Sequence, residues 1–98
     1  MTHTKEAIKT AWFSDRTKSL CKMTHKGKTI LHLKFQDDPV DKVGVNGVCM
    51  LDLIDAMIQR LDQFEIRWPR LENRMAIVRL KETAHWLIEK RENRKQGL

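Results

Sequence analysis

Histidines, cysteines, clustered carboxylates and arginines are the residues of this chain with the chemistry to react or to bind. None of the histidines (His3, His25, His32, His85) forms a helical His-x-x-x-His pair or lies at ligand spacing from Cys21 or Cys49, so no metal site is expected. A two-histidine phosphodiesterase needs paired His-x-Ser/Thr motifs. The chain has His3-Thr-Lys, His25-Lys-Gly, His32-Leu-Lys and His85-Trp-Leu instead. Cys21 and Cys49 read as free thiols packed as small hydrophobes. Gly44-Val-Asn-Gly47 lacks the Gly-Lys-Ser/Thr ending of a Walker phosphate loop, and Asp37, Asp38 and Asp41 lack the spacing and closing glutamate of a calcium loop. No carboxylate pair has the apolar setting that would raise a pKa. No catalytic residue and no cofactor are expected, which favours a binding protein over an enzyme.

The net charge of +6, from 19 basic and 13 acidic residues, directs attention to anionic partners. Arg60, Arg67, Arg70 and Arg74 could converge where two predicted helices meet, and the start of the second helix would add free N–H groups and partial positive charge. Guanidinium forks suit phosphate oxygens, and Phe35 and Trp68 offer flat faces to a nucleobase. The plainer alternative is that these arginines coat a helical hairpin and Trp68 staples its turn.

These side chains need elements to carry them. Ninety-eight residues allow one small domain with a thin stability margin, for which oligomerisation is a common remedy. No window reaches the ~20 consecutive apolar residues that span a bilayer, and no apolar stretch follows the first Met as a signal peptide would require. The chain reads as cytosolic. Leu31, Leu33 and Phe35 alternate with Ile30, His32 and Lys34 as a strand over 29–35, and a weaker alternation covers 19–25. Gly27 turns the chain between them. Residues 8–13 are read as a third strand in preference to a short helix, with a turn at 14–17. Leu51, Ile54, Ile58 and Leu61 mark one face of a helix over 50–64. A break follows at 65–69, with Pro69 placed in the first turn of a second helix. Met75, Ala76, Val78, Leu80, Ala84, Leu87 and Ile88 mark that second helix, which ends in a basic tail at 91–95. The expected fold is α+β: a small N-terminal antiparallel β-sheet followed by a C-terminal antiparallel helical hairpin, in one domain of residues 1–98. Within it, 1–36 form a β-meander, 37–48 a loop, and 49–95 the hairpin.

Phe35-Gln, Pro39, Val43-Gly-Val-Asn-Gly-Val48, Arg60-Leu, Glu72-Asn73 and the Leu-Lys-Glu-x-Ala-x-Trp-Leu run over 80–87 together resemble one family. It is the phage Thoeris anti-defence sponge family, whose helical hairpin is shared with anti-CBASS sponges. The resemblance covers residues 34–95, and its specific part is the Phe-Gln…Pro…Gly-Val-Asn-Gly block. It implies a protein that binds cyclic nucleotide immune signals (cyclic ADP-ribose isomers, and in some members cyclic di- or trinucleotides) and holds them without cleavage. It also implies a homodimer or larger symmetric oligomer acting in the cytoplasm of the infected host, with no membrane and no nucleic acid as the favoured partner. By motif, Phe35 would stack on a base and Asn46 would hydrogen-bond the ligand. Arg60, Lys90 and Arg94 would supply cations, with Arg70 or Arg74 in place of an arginine one position away. The loop at 37–48 then becomes the ligand-binding loop. Three departures stand out. Asp37-Asp38 replace Asn-Gly, Cys49 replaces the threonine that caps the first hairpin helix, and Arg70-Leu-Glu-Asn73 replaces Cys-Arg-Glu-Asn. The last displaces an arginine by about 100° around the helix. The rival reading is a small basic phage regulator that binds nucleic acid through the hairpin, and a third is a purely structural module.

Overall fold

The computed structural model describes residues 7–13, 18–95 and 97. His3 and the turn expected at 14–17 lie outside them. The chain forms two compact units, residues 1–49 and 50–98.

The first unit is an antiparallel sheet of β1 (Lys9–Phe13), β2 (Leu20–His25) and β3 (Lys28–Lys34), in the order β1-β2-β3. The strand preferred for residues 8–13 is therefore present. Lys26 and Gly27, with φ of 51° and 78°, make the tight β2–β3 connection. Two positive φ values at the centre of a two-residue turn match the right-handed twist of the strands it joins. The register shift between Met23 and Thr24 leaves Ile30 as an extra residue on β3. Trp12, Cys21 and Leu33 stand opposite one another, and Cys21 is buried at 2% exposure.

Beyond β3 the chain makes a loop that contains the short helix α1 (Val40–Val43), which sequence periodicity could not show in four residues. The loop returns to the edge of β3. Phe35 and Val48 form a parallel bridge in which the Val48 N–H donates to the Lys34 carbonyl and the Gln36 N–H to the Val48 carbonyl, both at 2.8 Å.

The second unit contains α2 (Met50–Arg67) and α3 (Leu71–Lys95), which pack on each other. Three residues join them, too few for anything but a fold-back. The break is shorter than the sequence suggested. Helical hydrogen bonding continues until the Trp68 N–H reaches the Phe64 carbonyl, and Pro69, which has no N–H to offer, then stops it. Pro69 lies in the connection rather than in the first turn of α3. In α2 the predicted face is the inner one, with Ile54 buried and Leu51, Ile58 and Leu61 half-buried. In α3 the inner face centres on Ile77, with Leu80, Ala84 and Leu87 beside it, while Met75, Val78 and Ile88 are exposed. The apolar residues of α3 thus fall on more than one side, so their pattern marks the helix without marking its inner face.

Candidate functional site

The loop between β3 and α2 is built around two side-chain amides. The Gln36 carbonyl oxygen Oε1 accepts from the Asn46 N–H at 3.0 Å and the Gly47 N–H at 3.3 Å. Its Nε2 donates to the carbonyls of Asp38 at 3.0 Å and Gly44 at 2.9 Å. An amide side chain offers two donor hydrogens and two acceptor lone pairs, so Gln36 is saturated by the loop itself. Asn46 is only half used. Its Oδ1 accepts from the Asp37 N–H and its Nδ2 donates to the Asp37 carbonyl, each at 2.8 Å. One donor hydrogen and one lone pair of Asn46 remain. At Gly47 a side chain is excluded, because a Cβ there would meet the Phe35 carbonyl and lie 2.7 Å from the Gln36 nitrogen. A loop held by this many internal bonds is ordered before any ligand arrives, which removes part of the entropic penalty of binding.

Phe35 enters this loop from β3. Its ring stacks on Trp12 of β1, with centroids 5.7 Å apart and planes inclined by 22°. Such a pair contributes about 0.5–1.5 kcal/mol beyond area burial. The two rings come from the outer strands, and the small, buried Cys21 lies in the strand between them. Trp12 keeps about half of its surface exposed. Spacing could not reveal Trp12, because only the strand register brings it to Phe35. Gln36 was visible only as part of the Phe-Gln motif.

The cations predicted in the second unit fall into four places. The Arg60 guanidinium lies 4.4 Å from the Phe64 ring centroid and donates to Gln63 Oε1 at 2.9 Å. Arg70 and Arg74 meet around Glu65: the Arg70 backbone N–H donates to Oε1 at 2.7 Å, and Arg74 Nη1 pairs with Oε2 at 3.2 Å. The start of α3 therefore already holds a carboxylate, and the N–H expected to be free at Arg70 is taken. Arg70 also reaches Glu72 at 3.5 Å. Lys90 and Arg94, one turn apart on α3, line an open hollow of about 400 Å³ with Trp86, Glu89 and Asn93. Arg67 lies over the Trp68 ring at 4.9 Å, and Trp68 keeps more than half of its surface exposed.

Among the described residues, no group of three or more His, Cys, Asp or Glu could hold a metal ion, and no helix is long and apolar enough to cross a membrane. No protein-family model matches the chain. Over 65 residues the chain is 40% identical to a curated protein of Bacillus phage SBSphiJ7 described as Thoeris anti-defense 1. The chain is a relative of the Thoeris anti-defence family. The matched segment is 65% of this chain and 46% of the phage protein, so the chain spans about half the length of the curated relative it matches.

Proposed function

We propose that this protein is a phage anti-defence protein that binds and sequesters a cyclic nucleotide immune signal without cleaving it. The observation that carries the reading is the preordered loop at 36–47 beside the Trp12–Phe35 stack, in a chain related to a Thoeris anti-defence protein. The proposed ligands are cyclic ADP-ribose isomers, with cyclic di- or trinucleotides as further candidates. Phe35 offers a nucleobase the ring face turned away from Trp12, and Asn46 offers its remaining donor and acceptor. In the second unit, Arg60, Lys90 and Arg94 are the candidates for phosphate oxygens. Arg70 and Arg74 would first exchange a carboxylate for a phosphate. The two groups are separate candidate sites, one on each unit.

A sponge works by mass action inside the infected host cell, and a nanomolar Kd corresponds to about −12 kcal/mol. Stacking supplies roughly 1–3 kcal/mol per base, and charge-assisted hydrogen bonds roughly 1.5–3 kcal/mol each. That scale is reached only by a prearranged site, and self-association into a symmetric oligomer would add walls to it. The rival, a regulator binding nucleic acid through the hairpin, has only a small charge excess to work with: residues 50–98 hold ten Lys and Arg against eight Asp and Glu.

The deciding experiment incubates the protein with cyclic ADP-ribose isomers and cyclic oligonucleotides, records melting temperatures, and recovers ligand after heat denaturation. Intact ligand released from a thermally stabilised protein is the expected outcome. A cleaved product would make the protein an enzyme, and no stabilisation by any member of the panel would remove the sponge reading. Phe35→Ala and Asn46→Ala should each abolish capture, and undiminished capture in both would refute the site.

A further inference from the structure

The positive charge of this chain is not shared between its parts. Residues 7–34 hold seven Lys and Arg against a single Asp, whereas residues 35–98 hold eleven of each sign. The excess is therefore concentrated in the segment that folds into the sheet, while the −2 of residues 35–49 offsets the +2 of residues 50–98. In the hairpin, arginines are answered locally: Arg74 by Glu65, Arg79 by Glu82 and Arg91 by Glu92. Among the described residues, no ion pair involves Lys9, Lys22 or Lys34.

The strand register fixes where those lysines go. Trp12, Cys21 and Leu33 share the face that carries the Trp12–Phe35 stack. Successive side chains on a strand point to opposite faces, so their neighbours lie on the other side of the sheet. There, Phe13, Leu20 and Lys34 form one row, Ala11, Lys22 and His32 the next, and Lys9 and Thr24 a third. Lys34, Lys22 and Lys9 thus run diagonally across all three strands, with steps of about 7–8 Å between them. Phe13 stands beside this line with half of its surface exposed, and Lys9, Lys34 and His32 are exposed as well. The strands contain no Asp or Glu.

We propose that this face of the sheet binds single-stranded nucleic acid, the lysine diagonal following the phosphates and Phe13 receiving a base. A track of cations beside an exposed aromatic is what captures single strands with little sequence preference. A sheet presents it well, since alternation puts the cations and the ring on one surface and keeps the Trp12–Phe35 stack on the other. The face is therefore distinct from the loop proposed to hold a cyclic nucleotide. It also differs from the hairpin surface of the rival regulator reading, where ten Lys and Arg over residues 50–98 stand among eight Asp and Glu.

The test follows the fluorescence anisotropy of a short labelled oligodeoxythymidylate titrated with the full chain at several salt concentrations. Three phosphate contacts predict that log K falls against log salt with a slope of about −2. Replacing the diagonal (Lys9→Gln, Lys22→Gln, Lys34→Gln together) should remove that slope and lower affinity at low salt at least tenfold. Phe13→Ala should keep the slope and weaken binding by roughly tenfold, the loss of one stacked base. Arg79→Gln, Lys81→Gln and Arg91→Gln, removing the same charge from the hairpin, should change binding less than the diagonal variant does. Circular dichroism checks folding; should the triple variant unfold, each single Lys→Gln variant should reduce the slope by about 0.7. The proposal is overturned if the wild-type chain binds no oligonucleotide at low salt, or if the hairpin variant loses as much as the diagonal variant. Tighter binding to a duplex of equal length, or binding only to phosphatidylserine vesicles, would overturn it too.

Discussion

Among the described residues, Lys9, Lys22 and Lys34 of the sheet unit form no ion pair and its loop at 36–47 is fixed by neutral amide hydrogen bonds, whereas the helical unit ties most of its arginines to acids. The difference matters because the two kinds of bond have different strengths. Exposed ion pairs are worth about 0–1 kcal/mol each and weaken in salt. A part-buried amide contributes about 0.5–1.5 kcal/mol per bond, and stranding its partners costs about 1–3 kcal/mol. Rigidity is thus concentrated in the loop at 36–47, while the cations of the hairpin can change partners at little cost.

The sharpest way to break that contrast is Gly47→Ala. A Cβ at this position meets backbone atoms of Phe35 and Gln36, and backbone held in a bridge to Val48 cannot step aside as a flexible side chain would. Overpacking of this kind costs about 1–3 kcal/mol. Hydrogen exchange should show faster opening at the amides of Gln36 and Val48, with those of α2 and α3 unchanged. Unaltered protection at Gln36 and Val48 would mean that the loop is not the rigid part of the molecule.

Gln36→Glu should have the next largest effect. The carboxylate can still accept from the N–H groups of Asn46 and Gly47, but it cannot donate to the carbonyls of Asp38 and Gly44. Two exposed acceptors lose their partner to water and gain a negative charge as a neighbour, an expected loss of about 0.5–1.5 kcal/mol per bond in urea denaturation. Asn46→Asp removes only one donor, from Asp37, and should lose less. An order reversed between the two variants would show that Asn46, not Gln36, is the centre of the loop.

Those amides also mark the limit of what the sequence could tell. The strands agree with the alternation of Leu31, Leu33 and Phe35 to within a residue, and α2 agrees with the Leu51, Ile54, Ile58 and Leu61 period, because both signals are local. The Gln36 bonds span eight to eleven positions along a loop whose path no periodicity describes. The Trp12–Phe35 stack needs the register of three strands. The inner face of α3 could not be read because apolar residues lie on several of its sides, and only packing against α2 selects Ile77 over Met75 and Val78. Nor could spacing alone show that Glu65 would occupy the start of α3.

The smallest effect is expected where charge alone acts, at the exposed start of α3. The Glu72 carboxyl is held below the usual glutamate range by a hydrogen bond from its own backbone N–H and by the Arg70 guanidinium nearby. Its ionised form is therefore favoured by folding. A carboxyl whose folded pKa is depressed adds stability above its unfolded pKa, and that contribution disappears as pH falls through the folded one. Acidification from neutral pH into the range below ordinary glutamate titration should loosen the first turn of α3, read as faster exchange at the amides that follow Leu71. Glu72→Gln should remove this part of the acid response while leaving Gln36 and Val48 as protected as before. Solvent and salt screen a charge this exposed, so added salt should flatten the response as well. An acid response at α3 that survives both the substitution and salt would refute its assignment to Glu72.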